Sequence, residues 1–96
     1  MQEADMKKQR VLSETEQDFI RELLPKLPPV IARKEVTRFL GGVVSPQTLS
    51  NADASGEGPE KAFRLGGKFI VYRTEALVHW LVSHYGITNI ATPKTL

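Results

Sequence analysis

The first periodic stretch of this chain places Phe19, Ile20, Leu23 and Leu24 at helical spacing, a narrow apolar stripe on an otherwise polar segment. Ser13-Glu14-Thr15-Glu16 precedes it with the spacing of a capping box, so a helix is expected to start there and to end where Pro25, Pro28 and Pro29 forbid continuation. Residues 13–29 thus read as an N-terminal helix and a stiff proline linker. Residues 1–12 lack periodicity and read as a flexible arm.

From Val30 the pattern becomes short and well punctuated. Val36, Phe39 and Leu40 share one face of a helix expected from about Arg33 to Leu40, closed by Gly41-Gly42. Its start is weak, because Ala32 stands at the cap site. Ser45-Pro46 is a cap followed by a first-turn proline, and the second helix it opens is brief, since Gly56, Gly58 and Pro59 close it. Two helices joined by a tight glycine-bearing turn form a helix-turn-helix unit.

Two β-prone runs follow, Lys61 to Leu65 and Lys68 to Arg73, separated by Gly66-Gly67, and predict a hairpin with a two-residue turn. With Leu65 opposite Lys68, the residues Phe63, Leu65, Ile70 and Tyr72 would share the inner face, and Arg64, Phe69, Val71 and Arg73 the outer one. Thr74 is expected to cap a last helix reaching Tyr85, with Gly86 as its stop and residues 87–96 as a tail. On that helix Leu77, Val78, Trp80, Leu81, Val82 and Tyr85 span about 200 degrees, more than one-sided packing needs. Two sides therefore want cover. One is expected to meet the helix-turn-helix core and the other, through Val78 and Val82, the N-terminal stripe of the same chain rather than of a second protomer. The fold class expected is mainly α with a small β-hairpin, a winged helix-turn-helix over residues 30–86.

At 96 residues a second independent core does not fit. The absence of cysteine excludes disulfides, thiolate metal sites and cysteine nucleophiles, and a cytoplasmic home is the simplest reading. No apolar run approaches the roughly 20 residues needed to cross a bilayer, so no membrane role is expected. Net charge is only +2, but residues 1–29 carry five basic and six acidic groups, whereas 30–86 carry seven and five. The positive excess lies with the helix-turn-helix segment.

With Leu49 and Ala52 turned inward, the second helix would present Gln47, Thr48, Ser50, Asn51 and Ser55 on its open side. Asn and Gln amides pair bidentately with adenine, and Thr offers a hydroxyl and a methyl, so Gln47, Thr48, Ser50 and Asn51 are the expected base-contacting residues. A merely solvated polar helix would carry the same pattern. The cationic hairpin beside it favours double-stranded DNA, with Arg33, Lys34, Ser45, Lys61, Arg64, Lys68 and Arg73 as backbone contacts. Catalysis finds no support. His79 and His84 are five apart, which does not align two imidazoles on a metal, and neither glycine-rich segment follows a strand and opens a helix as phosphate loops do. No cofactor and no metal are expected.

Val44-Ser45-Pro46-Gln47-Thr48-Leu49, Gly56-Glu57-Gly58-Pro59, Arg64-Leu65-Gly66-Gly67-Lys68, Tyr72-Arg73 and Ala76-Leu77 through Trp80-Leu81 together resemble the excisionase and prophage-regulator family of winged helix-turn-helix proteins, distant relatives of the MerR group. The resemblance covers about residues 30–85. It implies a recognition helix at Pro46 to Ala54 bearing Gln47, Thr48 and Asn51, and a wing meeting the DNA backbone through Arg64 and Lys68. It also implies action at integrase, prophage or mobile-element operators, with further copies of the chain or an integrase as partners. One departure stands out: Ala52-Asp53-Ala54-Ser55 lacks the arginines common there and adds a negative charge, which would weaken backbone attraction. The competing expectation is a protein-interaction adaptor that keeps the fold with weak DNA affinity.

Overall fold

A computed structural model of the chain describes residues 11–60 and 62–87. The order of elements is helix α1 (Glu14–Leu23), strand β1 (Val30–Ala32), helix α2 (Val36–Phe39), helix α3 (Pro46–Ala54), strands β2 (Ala62–Leu65) and β3 (Phe69–Arg73), and helix α4 (Thr74–Tyr85). The three strands form one antiparallel sheet in the order β1-β3-β2, so the domain is mixed α and β, four helices around a small sheet. Among the described residues no helix is long and apolar enough to cross a membrane.

α1 starts where the capping box places it. The Ser13 hydroxyl accepts the Glu16 N–H at 3.1 Å, and Glu16 Oε1 accepts the Ser13 N–H at 2.9 Å. The same carboxylate is buried, and its Oε2 accepts the N–H of Ile87 at 3.0 Å, which ties the start of α1 to the residue after Gly86. The proline segment is less of a spacer than its composition implies. Leu24–Lys26 make a 3-10 turn, and Thr74 donates its N–H to the Pro29 carbonyl at 2.9 Å and its hydroxyl to the Pro28 carbonyl. Thr74 is therefore not the cap of α4. Arg73 holds that position without a side-chain bond, and the threonine hydroxyl fastens the linker instead.

Strand β1 has no counterpart in the sequence pattern. Val30, Ile31 and Ala32 pair with Arg73, Tyr72 and Val71, and Ile31 and Tyr72 are fully buried. A 3-10 turn over Arg33–Glu35, without a side-chain cap bond, then leads into α2, so the expected single helix from Arg33 is a mixed one with the weak start that Ala32 foretells. α3 ends in a glycine-terminated motif: Gly56 takes φ +80, the Glu57 N–H reaches the Ala52 carbonyl at 2.9 Å, and the Gly56 N–H reaches the Asp53 carbonyl at 3.1 Å.

α4 buries two sides, as its wide apolar arc predicts. Leu77 and Trp80 join Ile31, Val36, Leu40, Val44, Leu49 and Tyr72 in the main core. Val78 and Val82 face the other way and form a second cluster with Leu12, against which Ile20, Leu23, Leu24 and Leu27 pack. The N-terminal stripe is therefore covered within the chain, with two corrections. Phe19 stays 43% exposed, and Leu12, assigned by its sequence to the arm, is buried. Ile87, assigned to the tail, packs on the same cluster; the rest of the arm and of the tail, 1–10 and 88–96, lie outside the described residues.

Candidate nucleic-acid interface

The outer side of α3 is built from its cap. Ser45 Oγ accepts the Thr48 N–H at 3.1 Å and lies 3.0 Å from the Thr48 hydroxyl, so these two expected contacts are half-buried and engaged with each other. Leu49 is fully buried and fixes which side of the helix faces out. Gln47 and Asn51, one turn apart, are both exposed, and Gln47 Nε2 donates to Asn51 Oδ1 at 3.0 Å. Ser50 is half-buried, and the Ser55 hydroxyl donates to the Ala52 carbonyl at 3.0 Å as part of the helix end.

The hairpin does not have the expected register. Gly66 and Gly67 take φ +63 and +67, and the Lys68 N–H closes on the Leu65 carbonyl at 3.1 Å, as a two-glycine turn should. Lys68, however, is an extra turn residue, and the strands pair Leu65 with Phe69, Arg64 with Ile70 and Phe63 with Val71. A slip of one residue transfers every β2 side chain to the opposite face. Phe63 and Leu65 therefore leave the inner set and join Phe69, Val71 and Arg73 on the outer face, while Arg64 turns to the Ile70 and Tyr72 side. There Arg64 lines a groove with Asp53 and Pro59 at the C-terminal end of α3. Lys34 and Lys68 gather at the other end of α3: their ammonium groups lie 4.9 and 5.4 Å from the Phe69 ring centre, in a groove that Pro46 also lines. Arg73 is exposed at the far end of β3, and Lys61 lies outside the described residues.

Arg33 and Asp53, twenty residues apart, form the polar centre of the site. Arg33 donates to Asp53 Oδ2 at 2.6 Å and from Nε to the Tyr72 hydroxyl at 3.0 Å, while Tyr72 donates to the same Asp53 oxygen at 2.7 Å. The triad joins the entry to α2, the last turn of α3 and the central strand. The Arg33 guanidinium is thus committed inside the protein, with 24% of its side chain accessible. Burial opposes its charge, but the hydrogen bonds to Tyr72 and Asp53 outweigh that and hold its pKa above the ordinary value. Gly58 is part of the same arrangement, since a Cβ there would stand 1.8 Å from Asp53 Oδ1. Sequence reasoning missed Tyr72 and Gly58 in this role. The available signal was a carboxylate within α3 with no cation one turn away on its own helix.

Burial, and then the bond it donates to Asp53, push the Tyr72 phenol up to about 12, with Arg33 offsetting part of the rise. Below pH 10, the ordinary tyrosine value, the phenol is protonated in folded and unfolded chains alike and its full contribution is present. Between pH 10 and 12 only the unfolded chain gives up the proton, so stability should fall across that window by about 2 to 3 kcal/mol. Denaturant titrations at stepped pH should show this loss in the native chain and not in Tyr72→Phe. Equal slopes in the two proteins would mean that the phenol is not its source.

Elsewhere, His84 stacks on Trp80 at 4.8 Å, and the Trp80 indole donates to the Glu57 carbonyl at 2.8 Å, holding the loop after α3 against α4. Among the described residues no three His, Cys, Asp or Glu side chains come together as a metal site would need. Comparison of the chain with protein-family models, curated proteins and solved structures finds no match.

Proposed function

We propose that this chain is a sequence-specific double-stranded-DNA-binding protein of the winged helix-turn-helix type. It would serve in the cytoplasm as a phage, prophage or mobile-element regulator or an excisionase-like directionality factor, and not as an enzyme. In this reading α2 and α3 are the helix-turn-helix, α3 enters the major groove, and the β2–β3 hairpin is the wing. The observation that carries it is the outer side of α3. Gln47 and Asn51 stand exposed as an aligned amide pair, and Asp53, the only carboxylate of that helix, is paired with Arg33 rather than directed at a phosphate. The departure from the family pattern at Asp53 therefore costs little in repulsion.

Binding-site selection from random duplexes, followed by anisotropy titrations, tests the reading. Alanine at Gln47 or Asn51 should weaken the selected site by about 1 to 3 kcal/mol and leave random DNA nearly unchanged. Neutralising Arg64 or Lys68 should weaken all duplexes alike and lower the salt slope by about 0.9 for each phosphate that is no longer neutralised. Equal losses on selected and random DNA for the amide variants would refute base reading by α3.

A second reading, a protein-interaction adaptor on the same fold, is favoured by one observation. Phe63, Leu65 and Phe69 are 47%, 54% and 41% exposed on a single sheet face, more apolar surface than a backbone-tracking wing requires. Failure of selection to enrich any duplex would favour it.

A further inference from the structure

The outer face of the hairpin sheet is apolar at its centre, cationic at its ends, and uncovered. Val30, Phe63, Leu65 and Phe69 are each 41% to 54% exposed around the buried Val71. Lys34 and Lys68 close over Phe69 at one end, Arg73 stands at the other, and no strand position on this face is acidic. The outward side of α1 has the opposite character. Glu14, Asp18 and Glu22 recur at four-residue spacing, all exposed, beside Phe19, which the second core leaves 43% exposed. Arg21 answers Asp18 at 2.6 Å, whereas Glu14 and Glu22 have no ion-pair partner among the described residues.

These two surfaces do not meet within one chain. α1 is fixed to the Val78 and Val82 side of α4, and the sheet packs on the Leu77 and Trp80 side. We propose that the acidic, Phe19-bearing side of α1 of one copy docks on the apolar, cation-flanked outer sheet face of another. The apolar side chains supply the buried area, and Glu22 and Glu14 meet Lys68 and Arg73 at its ends. Because the two surfaces differ, the contact is heterologous: each added copy leaves one free α1 side and one free sheet face, so association is head-to-tail and does not stop at a dimer. The patches are small, which puts the contact among weak, reversible ones. It requires no DNA and is independent of the reading of α3.

Sedimentation velocity of the DNA-free full chain at rising concentration tests the proposal. The expected result is a weight-average coefficient that climbs past the dimer without a plateau and falls back in about 1 M salt, where the Debye length is near 3 Å. The reversals Glu14→Lys with Glu22→Lys, and Lys68→Glu with Arg73→Glu, lie on the surface and should keep a melting temperature close to the native one. Each should weaken self-association about ten-fold, the change that 1.4 kcal/mol produces. Mixed in equal amounts, the two variants should regain open-ended association with copies alternating, since the reversed helix of the first matches the reversed sheet face of the second and the native helix of the second matches the native sheet face of the first. A native chain that stays monomeric at millimolar concentration would overturn the proposal. So would a plateau at dimer, or reversed variants that fail to associate with each other.

Discussion

Removal of residues 1–27 should lower the melting temperature by about 20 °C or leave the remainder unfolded, far more than loss of an inert tail. The segment carries Leu12, buried with Val78 and Val82, and Ile20, Leu23, Leu24 and Leu27 packed around them. Full burial of one such side chain contributes about 1.5 to 3 kcal/mol, and most of these are only partly buried, so together they supply about 5 kcal/mol. A domain of this size has about 5 to 15 kcal/mol in all, and each kcal/mol moves its melting point by about 4 to 8 °C. The deletion also strips Val78 and Val82 of cover and removes the Glu16 carboxylate from the Ile87 N–H. Leu23→Ala in the full chain, a graded version of the same loss, should cost about 1 to 2 kcal/mol. Thermal melts of both proteins decide the matter, and an unchanged melting temperature after deletion would refute the second core as a stabilising element.

Asp53→Ala is expected to cost about 2 to 4 kcal/mol, the second largest effect. It leaves the Arg33 guanidinium without its anion and the Tyr72 hydroxyl without its acceptor, both partly or fully withdrawn from water. The cost stays below that of breaking a fully buried pair because about a quarter of each charged side chain remains accessible. Gly58→Ala should act through the same carboxylate, which a new Cβ would drive off its partners. The two losses should then be strongly non-additive. Once the carboxylate is gone, the alanine at 58 meets mainly the Asp53 backbone at 3.2 Å, and the double variant should be little worse than Asp53→Ala alone. Denaturant midpoints of the four proteins in the cycle provide the check. Additive losses would mean that Gly58 is needed for something other than room for Asp53.

The triad also anchors α3, the helix that carries the candidate site. Asp53 sits in the last turn of α3, so its bonds hold that end of the helix to the β3 strand and to the turn before α2, while Ser45 fixes the other end. Gln47 and Asn51 lie between two anchored ends, the condition under which exposed amides keep one orientation instead of averaging over several.

Signals confined to a few neighbouring residues were legible in the chain itself. The Ser13–Glu16 capping box, the Ser45-Pro46 helix start and the glycine ends of α3 and of the hairpin turn each depend on atoms within about one turn of backbone, so composition and spacing sufficed. The two-sided burial of α4 was legible for a related reason, because an arc too wide for one contact requires two. The tertiary structure alone decided what links distant segments. Pairing of β1 with β3 joins residues about forty apart, and three apolar residues after a proline run carry no period that separates a strand from a linker. The hairpin register turned on one extra residue, Lys68, which a Gly-Gly pair does not forbid, and that single step exchanged Arg64 with Phe63 and Leu65 between the faces. The fate of Asp53 was likewise non-local. On its own helix it is an unmatched charge, and only packing of α3 against Tyr72 and the entry to α2 brings Arg33 to 2.6 Å and makes it a structural anchor.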